Sequence, residues 1–154
     1  MADIKKEFSN IDNVKQLLRQ QGYSPEAIAG IMGNIDVETG GSYDPMQKQY
    51  GGGIGRGLFQ MGGGMLQAYN NYLQSNQLEN SAENQILFMH NILNSGDVYD
   101  IGAGNRAKIQ NAFQSKNPSI IAQEFSNRFL RPGVPHLERR TKSALDLFKQ
   151  DGGI

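Results

Sequence analysis

The sequence predicts one mainly α-helical domain in which a glycine-rich irregular segment lines a cleft. Its 154 residues, 38% of them apolar, are enough for one domain and one hydrophobic core. Apolar residues recur at helical spacing over most of the chain. Ten of the 19 glycines lie between Gly40 and Gly64, where neither helical nor strand periodicity holds. We therefore assign residues 1–154 to a single domain with a core of about residues 9–149.

The first two helices have clear start and stop signals. The first is expected to begin at Ser9 or Asn10 and to stop at Gly22. The second begins at Ser24-Pro25, a favoured cap and first-turn pair, and ends with Glu38 in front of a glycine pair. Their apolar positions follow the i, i+3, i+4, i+7 rule: Ile11, Val14, Leu17 and Leu18 in the first helix; Ile28, Ile31, Met32 and Ile35 in the second.

Residues 40–64 are predicted to be irregular and could include a short β-hairpin. A segment this long inside a small domain is often functional. Helical periodicity returns after it in five stretches, which raises the total to six or seven helices: residues 65–73, 81–96, 105–114, 117–129 and 137–148.

Composition excludes several classes of function. The chain has no cysteine, so disulfide scaffolds, thiolate zinc sites and cysteine nucleophiles are ruled out. No run of about 18 apolar residues is present, and the N-terminal residues lack the apolar stretch of a secretory signal, so we expect synthesis in the cytoplasm and no membrane-spanning helix. Fifteen basic residues balance fifteen acidic ones, which argues against a general nucleic-acid binder.

Glu38 is the residue whose position most suggests chemistry. It follows Ile35 by three residues and Ile31 by seven, so helical geometry puts its carboxyl group on the apolar face. Partial desolvation and the negative end of the helix dipole both raise a carboxyl pKa there. A raised pKa is what a general acid needs. A surface glutamate at a frayed helix end fits the same local pattern equally well.

Other candidate chemistries lack the required spacing. The glycines of residues 51–57 have neither the G-x-G-x-x-G register nor a following Lys-Ser/Thr, which excludes a phosphate-binding loop. Arg56 in this loop is expected to pair with a carboxylate or to contact an anionic substrate. His90 and His136 show no metal-ligand spacing, so we predict no metal and no cofactor. His90 is interpreted as a semi-buried structural residue, and His136 as the start of the last helix.

Two short motifs resemble those of a known family. Residues 33–40 read GNIDVETG, and residues 57–60 read GLFQ. Together with residues 83–88 and a C-terminal helical pair over residues 125–148, they resemble the phage tail lysozymes. This group lies in the lysozyme-like superfamily, with goose-type lysozymes and soluble lytic transglycosylases. The resemblance covers residues 11–148 and implies a lysozyme-like helical fold.

The resemblance also implies a reaction and a set of site residues. The substrate would be the glycan strand of bacterial peptidoglycan, cleaved at the β-1,4 bond between N-acetylmuramic acid and N-acetylglucosamine, with Glu38 as general acid. In a lytic transglycosylase the same carboxylate then acts as base. In a hydrolase a water or a second carboxylate completes the reaction, and Asp44 is the nearest candidate. The expected substrate-binding residues are Thr39, Tyr43, Gly57, Gln60 and Tyr69, with the loop of residues 51–57 as a wall or lid.

Two other functions stay open at this stage. Met61 follows Gln60 where the family tends to carry tryptophan, which favours a non-catalytic glycan-binding or structural virion protein as the main alternative. A helical adaptor without a sugar role would use the basic C-terminal third, in which nine Lys and Arg face four Asp and Glu, as its partner surface. A phage enzyme would act at the periplasm or cell wall, as a free endolysin or as a virion component among other tail proteins.

Overall fold

The computed structural model describes residues 9–152, so the predicted domain ends at residues 1–8 and 153–154 lie outside the described part. The described residues form seven α-helices and a π-helical turn, which confirms the mainly α prediction. The helices are α1 (Asn10–Gln20), α2 (Pro25–Thr39), α3 (Gly63–Ser75), α4 (Ala82–Asn94), α5 (Ala103–Gln114), α6 (Pro118–Phe125) and α7 (Leu137–Gln150), and the π-helical turn is Ser126–Leu130. None of the described helices combines the length and the apolarity that crossing a membrane requires.

The predicted helix starts are confirmed by their caps. The hydroxyl oxygens of Ser9, Ser24 and Ser81 each accept a hydrogen bond from a backbone N–H in the first turn of α1, α2 and α4. Helix α2 ends at Thr39 and is capped by Gly40, whose φ of 59° is left-handed. The helix therefore runs one residue further than the predicted end at Glu38.

Helix α2 lies at the centre of the fold and packs most extensively against α6 and α7. At Gly33 the backbones of α2 and α7 are so close that an added Cβ would lie 2.6 Å from the Arg140 carbonyl oxygen. Only glycine permits this approach. The close contact brings the C-terminal end of α2, where Glu38 lies, against the first turns of α7.

The glycine-rich segment is irregular over residues 40–62, two residues fewer than the predicted 40–64, because α3 begins at Gly63. Its hairpin-like pairing is limited to two isolated antiparallel bridges, Lys48 with Arg56 and Arg56 with Met61. Phe59 packs the segment against the core. The centroid of its ring lies 6.1 Å from the ring centroid of Phe125 and 5.6 Å from that of Phe129. The Tyr50 hydroxyl donates to the Thr39 carbonyl oxygen at 3.4 Å, which places the segment beside the end of α2.

Candidate active site

Glu38 lies in the last turn of α2 and is largely buried. Its side chain is 14% exposed, and its Oε1 lies 2.9 Å from Nη1 of Arg140 on α7. The Arg140 side chain is only 2% exposed. The carboxyl group is therefore only slightly exposed to solvent, and it forms an ion pair with a buried guanidinium group.

A closed hydrogen-bond network holds Arg140 in turn. Its Nε donates to the carbonyl oxygen of Pro135 at 2.6 Å, and its Nη1 donates to Oδ1 of Asn34 at 3.2 Å. The buried amide of Asn34 donates through Nδ2 to the carbonyl oxygens of Gly30 and Ala122, both at 3.0 Å. One side chain thus joins α2, α6 and α7 behind the glutamate. A buried network with satisfied members fixes a single geometry.

Two opposing effects act on the pKa of Glu38. Burial raises it above the usual range, whereas the charge and hydrogen bond of Arg140, and the charge of His136, lower it. A carboxylate 2.9 Å from a guanidinium group ordinarily has a depressed pKa, but here the desolvation is the larger effect and the pKa stays raised. The direction agrees with that expected from the sequence. The raised pKa favours the protonated form of Glu38, and the Arg140 guanidinium group stabilises the carboxylate that remains when the proton has left.

Thr39 and Tyr43 lie in the core, not at the substrate surface predicted for them. The Thr39 hydroxyl is fully buried; it donates to the Ile35 carbonyl oxygen at 2.8 Å and accepts from the Tyr43 backbone N–H at 3.0 Å. The Tyr43 side chain is 2% exposed, and its hydroxyl donates to the Met32 carbonyl oxygen at 3.1 Å. Both side chains hold the turn that follows α2, and their polar atoms are used within the protein.

Asp44, the candidate second carboxylate, and Asp36, two residues before Glu38, are both bound to other groups. Asp44 accepts the Met46 backbone N–H on Oδ1 at 2.9 Å, which closes a turn. Asp36 accepts a short 2.5 Å hydrogen bond from the Ser143 hydroxyl. Asp36 lies in a surface depression with residues of α7.

Gln60 braces the glycine-rich segment and also borders a cavity. Its backbone φ of 47° is left-handed, and its Nε2 donates to the carbonyl oxygens of Gln47 at 3.0 Å and Gly57 at 2.8 Å. The cavity of about 330 Å³ beside it is also lined by Tyr99 and Arg131. The predicted substrate role of Gln60 is thus compatible with its position, although its amide N–H groups are already bonded.

Gly57 and Tyr69 are brought together at a second cavity, of about 390 Å³. Gly57 has a φ of 80°, and a Cβ there would lie 2.5 Å from Oε1 of Gln85. The Tyr69 ring is 98% buried, and its hydroxyl donates to Oδ1 of Asn80 at 2.7 Å. Tyr69 is therefore a packed wall residue with little ring surface for stacking on a sugar.

The histidines occupy the structural positions expected for them. Nδ1 of His90 lies 2.7 Å from the Tyr23 hydroxyl oxygen, and burial lowers the pKa of His90. His136 precedes the first residue of α7. Within residues 9–152, no group of three or more His, Asp or Glu side chains is arranged to hold a metal ion.

Comparison with known protein families identifies the family of the chain independently of the site geometry. The family model described as phage tail lysozyme matches residues 9–150. The chain belongs to the phage tail lysozyme family. No curated protein gives a significant match to the chain. Membership confirms the resemblance drawn from residues 33–40 and 57–60 and supports a lysozyme-like, peptidoglycan-related function.

Sequence reasoning missed two polar residues of this phage tail lysozyme fold. Arg140 lies in the stripe that α7 buries, three residues after Leu137 and four before Ala144. Gln85, 1% exposed, lies in the buried stripe of α4; it accepts the Leu58 N–H at 2.9 Å and donates to the Pro45 carbonyl oxygen at 2.8 Å. The signal that singled out Glu38, a polar residue on an apolar helix face, is present at both positions.

Proposed function

We propose that this chain cleaves the glycan strand of peptidoglycan between N-acetylmuramic acid and N-acetylglucosamine, with Glu38 as the general acid. The observation that carries the proposal is the half-enclosed position of Glu38, whose pKa is raised by burial while its Oε1 is held by Arg140. A pKa raised above the usual carboxyl range keeps more of the acid protonated near neutral pH. Membership of the phage tail lysozyme family supplies the class of substrate.

The reaction would begin with proton transfer from Glu38 to the glycosidic oxygen. The bond between that oxygen and the anomeric carbon breaks, and positive charge develops on the muramyl ring. Glu38 is left as a carboxylate, which the guanidinium of Arg140 stabilises at 2.9 Å. The same carboxylate then accepts a proton, either from the muramyl 6-hydroxyl, which closes an anhydro ring, or from an attacking water.

A route with one carboxylate is supported by the positions of the other acids. Asp44 is engaged in a turn and Asp36 is bonded to Ser143 on the α7 side. Arg140 serves the one-carboxylate route well, since it stabilises the form of Glu38 that must act as base. Arg140 is therefore a positioning residue for both proton transfers.

The test is mass spectrometry of muropeptides released from purified peptidoglycan by the wild-type protein and by Glu38→Gln. We expect the variant to release products about 10²- to 10⁴-fold more slowly, the usual contribution of one general acid. Glu83→Gln, which removes an exposed carboxylate from α4, is the matched control and should behave as wild type. Anhydromuramyl ends would identify a transglycosylase and reducing muramyl ends a hydrolase.

Two results would contradict the proposal. Full activity in Glu38→Gln would remove the glutamate from the mechanism. Tight binding to the wall without any product from the wild-type protein would favour the non-catalytic glycan-binding alternative, for which Met61 after Gln60 is the motivating observation.

The site of action we propose is the bacterial cell wall, reached by the protein as part of a phage tail. The description of the family as tail lysozymes supports this over a free endolysin. Peptide mass fingerprints of purified virions are expected to contain this chain, and its presence only in lysates would favour the endolysin.

A further inference from the structure

Two cations face each other across the glycine-rich segment. Lys48 and Arg56 form an isolated antiparallel bridge. The hydrogen bonds from Gly57 N to Gln47 O and from Gln49 N to Gly55 O flank the pair, at 2.8 and 2.9 Å. Lys48 and Arg56 are therefore a non-hydrogen-bonded pair, the type in which opposite Cα atoms are closest, at about 4.5 Å. Like charges directly opposite each other destabilise such a pair.

No carboxylate of the described chain offsets this repulsion. Within residues 9–152 neither Lys48 nor Arg56 takes part in an ion pair. Arg56 uses Nη1 to donate to the carbonyl oxygens of Gly53 at 2.9 Å and Gly55 at 2.8 Å, which fixes the guanidinium group against the turn. Among residues 9–152 its other side-chain N–H groups have no hydrogen-bond partner.

Both cations line the cavity of about 390 Å³ that also contains Gly57 and Tyr69. None of the described residues that line it is acidic. The wall also contains the Tyr69 hydroxyl and the side-chain amides of Asn80 and Gln85, which bond to one another and to the protein. The exposed side-chain amide of Asn70 suits the N–H and C=O groups of a peptide. Met61 lines this cavity and also the cavity beside Gln60, so the two cavities adjoin along one stretch of the segment.

We propose that this cavity binds a free carboxylate of the peptide attached to the glycan strand, with Lys48 and Arg56 as its cationic partners. The identity of the ligand rests on the proposed function, because the glycan strand of peptidoglycan carries such peptides. An incoming carboxylate relieves the repulsion between the two cations and receives charge-assisted hydrogen bonds from a guanidinium group that is already oriented. The cavity then selects glycan strands whose peptides are still attached.

The test measures binding in the Glu38→Gln background, so that the substrate stays intact. Cosedimentation gives the Kd for three forms of peptidoglycan: intact, with its carboxylates converted to carboxamides, and with its peptides removed by an amidase. In the third form the lactyl carboxylates that the amidase exposes on the glycan strand are also converted to carboxamides. Replacement of Lys48 by Gln is expected to raise the Kd for intact peptidoglycan about threefold to tenfold, as for the loss of one partly exposed charge-assisted contact. It should leave the Kd for the other two forms unchanged.

Matched variants separate a specific site from general charge. Lys108→Gln removes an exposed lysine of α5 outside the cavity and should change none of the three Kd values. Lys48→Arg keeps the charge and should bind as the parent does. An equal loss on all three substrates, or no loss on any, would overturn the inference. So would an effect that disappears once phosphate-bearing wall polymers have been extracted, since the ligand would then be a phosphate.

The outcome is independent of catalysis. If the wild-type protein releases no products but Lys48→Gln loses affinity only for peptide-bearing strands, the proposed activity fails and the carboxylate site stands. If products are released and Lys48→Gln binds normally, the carboxylate site alone is wrong.

Discussion

The polar network behind Glu38 and the glycine-rich segment beside it are built in opposite ways. In the network, Asn34 and Arg140 are buried between three helices and bond to each other and to backbone carbonyl oxygens. In the segment, the chain has little regular pairing, and side-chain amides such as those of Gln60 and Gln85 bond the backbone instead. Glu38 is thus positioned by helix packing, whereas the segment next to it is positioned by hydrogen bonds between side-chain amides and the backbone.

The largest expected effect comes from breaking the network at Arg140. Replacing it by Met leaves Glu38 and Asn34 without their buried partner. We expect the free energy of unfolding to decrease by about 3–5 kcal/mol. Arg128→Met is the control, because its ion pair with Glu124 is about one-third exposed and such pairs contribute roughly 0.2–1 kcal/mol. Denaturant unfolding measures both. An equal decrease in the free energy of unfolding of the two variants would mean that the buried network stabilises the fold no more than a surface ion pair does.

Removal of Arg140 also shifts the pH dependence of activity. Arg140 lowers the pKa of Glu38, so its loss raises that pKa further. The alkaline limb of kcat/KM, where a general acid loses its proton, is expected to move to higher pH in Arg140→Met. An unchanged limb in a folded variant would show that Arg140 does not act on the titrating group.

The second-largest effect is expected from a substitution that disrupts the glycine-rich segment and leaves the network of Asn34 and Arg140 intact. Gln85→Met removes the acceptor of the buried Leu58 N–H and should cost about 1–3 kcal/mol. Amide exchange at Leu58 should accelerate while the alkaline limb of kcat/KM stays in place. Gln123→Met, on an exposed position of α6, is the control. A shifted limb in Gln85→Met would show that the two regions are coupled.

A smaller effect concerns the stability of the folded protein against pH. The folded-state pKa of Glu38 is raised above its unfolded value, so the folded state holds the proton more tightly. The stability that this proton contributes is full below the ordinary carboxyl pKa and is lost as pH rises through the raised one. The free energy of unfolding of wild type minus that of Glu38→Gln should therefore decrease over this window. A difference that increases with pH would indicate a depressed pKa instead.

The smallest effect is expected at Asp44. Asn keeps the acceptor that closes the turn to Met46, so Asp44→Asn should fold as wild type and retain kcat within about twofold if only one carboxylate is used. Steady-state rates on purified peptidoglycan measure this. A loss of about a hundredfold or more would identify Asp44 as a second acid or base and would replace the one-carboxylate route.

The sequence predicts the helices well because their signals are local. Ser9, Ser24 and Ser81 are caps that act within one turn, and the apolar face that carries Glu38 follows from spacing alone. The partner of Glu38 cannot be predicted in this way, because periodicity assigns Arg140 to a buried face without naming the neighbour across it.

The two residues that are buried against expectation, Thr39 and Tyr43, lie at the end of α2 and just beyond it. Thr39 is at the last position of α2, and Tyr43 lies in the irregular turn after it, where no pattern separates buried from exposed positions. The family resemblance, not the periodicity, is the basis for expecting both side chains to contact substrate. Their burial follows from hydrogen bonds between the turn and α2, which depend on the path of the backbone.

The hydrogen bond between Asn34 and Arg140 spans 106 positions of the chain, and this separation has a consequence for folding. Contacts so distant in sequence require closure of a long loop and form late compared with a single helix. Helix α2 on its own holds Glu38 as an ordinary solvated carboxyl group. Burial raises the pKa of Glu38, and the end of α2 is packed against α7, so the proton affinity of this carboxyl group depends on a contact between distant parts of the chain.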